Sequence, residues 1–203
     1  DTMLKEGENK YSKVELQNNY IHINALQEDV RPTMENNILP HGIIFGLLTS
    51  HPIVFMAISA SNIRIGTVYI KLACPPQWMK QIIQLCTNGN GRTYKGAHFE
   101  SIGDKGSKGE RLYCKKYVEN GNSNSSTNFI PSLEEGTCNA VRKRGDVQVS
   151  NKVPGFLIYT REGRFYDTDF IMLGNVISGI ETIDTAIHKH SIDLLEICEV
   201  GIV

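Results

Sequence analysis

No apolar run in this chain is long enough to cross a membrane as a helix. The run Ile43 to Leu48 is six residues and interrupted by Gly46, whereas a spanning helix needs about 20 residues. Charge of one sign is lacking too. Lys and Arg number 21 against 22 Asp and Glu, a net charge of −1, which argues against whole-domain attraction to nucleic acid or anionic lipid. Paired cysteines are missing as well. Cys74, Cys86, Cys114, Cys138 and Cys198 are odd in number and never spaced C-x-x-C. They suit reduced thiols in cytosol or nucleus better than a disulfide framework or a zinc site. His188 and His190 stand two apart with no carboxylate or cysteine at ligand spacing, so no metal is expected. The glycines at 103, 106 and 109 lack the strand–loop–helix context of a phosphate cradle, and no cofactor is expected.

What remains is enough for one buried core: 203 residues, 40% hydrophobic and 21% charged, as in ordinary globular proteins. The chain opens on Asp1 with no charged-then-apolar leader, and reads as a fragment of a longer protein. Residues 1–50 read as an N-terminal extension. Tyr20 to Leu26 alternates as a strand would, Pro32 and Pro40 interrupt regular structure, and the apolar Ile43–Leu48 run implies docking onto the rest. The extension either covers a sheet edge or occupies a groove.

From residue 51 to 203 the pattern is mainly β. Ile53–Ser59 and Gly66–Leu72 read as a hairpin turning at Asn62–Ile65, with Val68, Ile70 and Leu72 facing inward. Pro75-Pro76 stops the strand and pre-sets a helix that carries Trp78, Ile82, Ile83 and Cys86 on one face and ends at Asn88-Gly89. Tyr94 to Phe99 leads into another short strand. Phe156–Thr160 and Phe170–Leu173 are further strands, with Phe165 and Tyr166 on the loop between them. Gly174-Asn175 marks a conformational break, and Ile180, Ile183, Ala186 and Ile187 share one helical face. Leu194 to Val200 is the last strand. The expected architecture is a closed antiparallel β-barrel with a helix over each mouth.

Pro52–Leu72, Tyr94-Lys95-Gly96 followed by Phe99, the stretch Gly155–Ala186 and the terminal Glu199-Val200-Gly201 resemble the cyclophilins in order and spacing. The resemblance implies eight barrel strands and a prolyl cis–trans isomerase ancestry. It also implies that Ser101 stands where the family has its arginine, and Gly106-Ser107-Lys108-Gly109 where it has a Phe-Met-x-Gln floor. The family's alanine-asparagine edge falls near Arg144 to Val147. Its pocket phenylalanine becomes Leu157 beside a retained Phe156, its indole Phe165 followed by Tyr166, and its histidine Phe170.

A serine hydroxyl offers neither the fixed charge nor the forked donors of arginine. Losing one preorganised transition-state donor costs about 2.7–4 kcal/mol. The resemblance therefore implies a pseudo-enzyme: a protein-interaction domain that binds a partner segment through Ser101, Phe156, Leu157, Phe165, Tyr166 and Phe170. A residual isomerase of altered specificity is the alternative. Arg142, Lys143 and Arg144 form a basic cluster, read as solvated surface or as a contact for acidic protein or RNA phosphate.

Overall fold

The computed structural model describes residues 11–17, 20–25, 38–40, 51–87, 91–124, 141–150, 154–164 and 170–203. Three short strands come first: β1 (Tyr11–Gln17), β2 (Tyr20–Ala25) and β3 (Ile38–Pro40). The hairpin follows as β4 (Ile53–Ala60) and β5 (Ile63–Leu72), turning on Ser61 and Asn62. Both turn residues have positive φ, 49° and 65°, as a two-residue turn matched to strand twist requires. The second strand thus starts three residues before the expected Gly66. Val54, Met56 and Ile58 meet Val68, Ile70 and Leu72 in the core, while Phe55 and Tyr69 stack on the opposite side at 6.4 Å.

Helix α1 (Pro76–Cys86) starts at the expected proline. It buries Trp78, Ile82, Ile83 and Cys86, because those spacings put them on one face. Short strands β6 (Arg92–Thr93), β7 (Ser101–Gly103), β8 (Arg111–Cys114), β9 (Tyr117–Glu119), β10 (Asn122–Asn124) and β11 (Val141–Arg142) lead to β12 (Asp146–Ser150) and β13 (Phe156–Tyr159). After β14 (Gly163–Arg164) comes β15 (Phe170–Ser178), then α2 (Ile180–Lys189), a 3-10 turn (Ile192–Leu194) and β16 (Leu195–Ile202).

Strand β15 continues through Gly174, where its pairing with β12 slips by one residue at Leu173. A Cβ on Gly174 would lie 2.1 Å from the Lys71 carbonyl oxygen, so glycine is needed for the close approach of β5. The chain turns instead at Gly179, whose φ of 83° a side chain would strain.

Eleven strands form one sheet in the order β3-β1-β2-β16-β4-β5-β15-β12-β13-β8-β7. The expected closed barrel is therefore not formed: no sheet among the described residues closes on itself. The Tyr94–Phe99 stretch, which leads into short strand β7 as expected, is itself a turn around Gly96 (φ 81°) with a single bridge, His98 to Glu196. The turn spans the gap by backbone bonds. Gly96 N–H donates to the Ile197 carbonyl (2.8 Å), Ile197 N–H to Ala97 (2.9 Å) and Phe99 N–H to Leu195 (3.1 Å). The same edge of β16 carries the N-terminal strands further on, where Ile202 pairs with Ile23. On its other edge β16 pairs with β4 from Leu195 to Ile202.

Candidate functional site

Strands β7, β8, β13 and β12 alternate between two faces. Leu112, Cys114, Phe156, Ile158, Val147 and Val149 point into the core. Phe156 lies edge-on to Tyr94 at 5.1 Å and to Phe99 at 6.4 Å. The opposite face is set by cross-strand pairing. Ser101 pairs with Tyr113, Tyr113 with Leu157 and Leu157 with Gln148, one row across four strands. The next row holds Gly103, Arg111 and Tyr159.

That second row is polar yet covered. Tyr159 is buried, and its hydroxyl donates at 3.1 Å to Oε1 of Gln148, itself buried at the end of the first row. Burial raises the Tyr159 pKa well above its ordinary value, partly offset by Arg111 and Arg142. The Arg111 guanidinium donates to the Asp104 carboxylate, to the Gly109 carbonyl (2.9 Å) and to the Tyr113 hydroxyl. Burial alone would lower its pKa, but the Asp104 carboxylate and the Tyr113 hydroxyl raise it above the ordinary value. This head packs over bare Gly103, where a Cβ would lie 3.0 Å from Arg111 Cζ and from Tyr113 Cε2.

The loop between β7 and β8 is held by Glu110, 0% exposed. Its carboxylate accepts from Gly106 N–H (2.6 Å) and the Thr160 hydroxyl (2.7 Å), with Arg161 at 3.5 Å and His188 at 3.7 Å. Burial pushes the Glu110 pKa up, but these donors and neighbouring side chains bring it below the usual carboxylate range.

Of the expected site residues, Ser101 is half-buried at the sheet's end strand, Leu157 is buried beside Tyr113, and Phe170 is half-buried and edge-on to Tyr113 at 6.4 Å. Phe156 points into the core, opposite to Leu157, because neighbours on a strand face opposite ways. Phe165 and Tyr166 lie outside the described residues. The stretch Gly106–Gly109, which the resemblance sets in place of the family's pocket floor, belongs to the turn after β7, and the strand facing Ser101 is β8. Near the expected alanine-asparagine edge, Arg144-Gly145 is a turn and Asp146 begins β12.

The basic cluster is dispersed. Arg142 is 4% exposed, with Nη1 3.8 Å from the Met172 sulfur. Arg144 is paired with Asp184, and Lys143 donates its backbone N–H to Asp146. Sequence reasoning missed Arg111 and Tyr113. The alternation Arg111-Leu112-Tyr113-Cys114 was the available signal for a strand with one polar face.

The cysteines at 74, 86 and 114 are buried. Burial pushes the thiol of Cys74 up to about 11 and that of Cys114 up to about 12, so neither is an activated nucleophile. Among the described residues no three His, Cys, Asp or Glu side chains gather as a metal site would require.

The fold is that of cyclophilin-like proteins. The crystal structure of a cyclophilin from Mimivirus superposes with a TM-score of 0.56 at 17% sequence identity, over 76% of this chain and 90% of that one. No protein-family model matches the sequence, and no curated protein does.

Proposed function

We propose that the chain is a cyclophilin-like protein-interaction domain of a larger intracellular protein, holding a partner segment on the outer face of β7, β8 and β13 without isomerising it. The observation that carries this reading is the state of the arginine nearest that face. Ser101 occupies the place that the resemblance gives to the family's arginine. Arg111, one strand away, already donates to Asp104, Gly109 and Tyr113. An electrophile so neutralised and anchored is poorly placed to polarise a bound amide, because that requires donors aimed at the developing charge. Tyr113 and Phe170 meanwhile offer aromatic surface to an extended segment, the contacts that anchor such interfaces.

A protease-coupled assay on a proline-containing tetrapeptide tests this. The expected result is a rate indistinguishable from the uncatalysed one. One observation favours a second reading, a residual prolyl isomerase: Arg111 does lie on the same face as Leu157 and Tyr113. Turnover that is abolished in Arg111→Ala would establish that reading and overturn the first.

A further inference from the structure

Beside the Ser101–Tyr113–Leu157 row lies a shallow, open depression of about 50 Å³, lined by Tyr113, Lys115, Ser150, Gly155 and Phe170 among others. Its lining is apolar. Gly155, in its lining, must be glycine, because a Cβ there would lie 2.5 Å from the Cys114 carbonyl oxygen and 2.7 Å from Lys115 Cα. A single water needs about 10–15 Å³ of such space, so the depression has room for a small aliphatic group. Aromatic rings flank it, Tyr113 and Phe170, fixed edge to face.

The rim carries charge. Lys115 is exposed, and its ammonium sits 5.7 Å from the centre of the Tyr113 ring. No carboxylate among the described residues pairs with it, whereas the adjacent Lys116 is paired with Glu100 at 3.7 Å and Arg111 with Asp104. The cation is thus held at the mouth of an apolar depression by a ring that leaves its charge uncompensated.

We propose that the partner segment is an extended peptide with a short aliphatic side chain in this depression and an Asp or Glu two positions away, paired with Lys115. Residues two apart on an extended chain share a face and lie ~7 Å from one another, so one side chain can enter the depression while the other faces Lys115. This rests on the interaction reading above and names the chemistry of its ligand.

The test is a ¹H–¹⁵N chemical-shift titration of the full chain with three heptapeptides. All share a central valine, and the residue two positions on is Glu, Gln or Lys. The expected result is movement of the resonances of residues 113–115, 150, 155 and 170. The Glu peptide should bind roughly three- to fivefold more tightly than the Gln peptide at low salt, as an exposed ion pair gives, and the preference should vanish in Lys115→Gln. Equal binding of all three peptides overturns the acidic specificity while leaving the interaction reading standing. Shifts confined to other surfaces, or none with any of the three, overturn both.

Discussion

The two faces of β8, β13 and β12 are built on different principles although the same residues' neighbours make them. Inward, Leu112, Phe156, Ile158, Val147 and Val149 form a wholly apolar layer. Outward, Arg111, Tyr159 and Gln148 are covered almost as completely but are held by hydrogen bonds. The inner layer tolerates exchange of one apolar group for another of like volume, because burial is non-directional. The outer layer tolerates little, since each donor removed leaves a buried partner unsatisfied. In a binding domain the first face supplies stability and the second fixes the shape presented to a ligand.

Substitutions on each face separate these contributions. The largest effect is expected for Phe156→Ala, which removes a ring packed on Tyr94 and Phe99 and should cost about 3–5 kcal/mol in denaturant unfolding. A loss under ~1 kcal/mol would mean that the inner layer is not the source of stability. Next is Glu110→Gln, which removes the buried charge holding the β7–β8 loop and should cost about 2 kcal/mol at neutral pH.

Its pH dependence has a definite sign. The folded pKa of Glu110 is lowered, so its contribution is complete above the unfolded value of about 4.3 and is lost as pH falls through the folded value. The Gln variant should therefore show a shallower decline in stability below about pH 4, readable by thermal unfolding across an acid series.

Tyr113→Phe takes one acceptor from Arg111 and should cost about 1 kcal/mol. Gly103→Ala should resemble it, because the new methyl lands on the guanidinium. If both are neutral, the outer network is decoration. The smallest effect belongs to Lys115→Gln, which should leave stability within about 0.5 kcal/mol while removing the preference for acidic peptides. A loss of stability there would blur the line between the two faces.

The same division explains what could be read from the chain alone. The hairpin, both helices and the last strand announce themselves through local periodicity: Val68, Ile70 and Leu72 alternate, and Ile180, Ile183, Ala186 and Ile187 recur at helical spacing. Arg111 shows itself only as one polar position in a four-residue alternation. Its meaning depends on Asp104 across a turn and on Tyr159 across 48 positions of chain, and pairing of that kind is invisible to spacing.

On β13 and β15 the residues that the resemblance singles out, Leu157 and Phe170, both lie near Tyr113. At Gly106–Gly109 the turn after β7 displaces the next strand along the sequence and brings Tyr113 opposite Ser101. Closure of the barrel was misjudged for a related reason. Alternation identifies strands but not whether the last of them finds a ladder partner, and here the turn at Gly96 reaches β16 in place of a strand.

That shared flank of β16 has a practical bearing on any shortened version of the polypeptide. Begun at residue 51, the molecule would keep the Gly96–Phe99 seam but strip the cover from Ile202, uncovering main-chain donors and acceptors at the rim. Bare strand margins of this sort recruit one another. A trimmed version should therefore elute as oligomers in size-exclusion chromatography where the 203-residue chain runs as a single species.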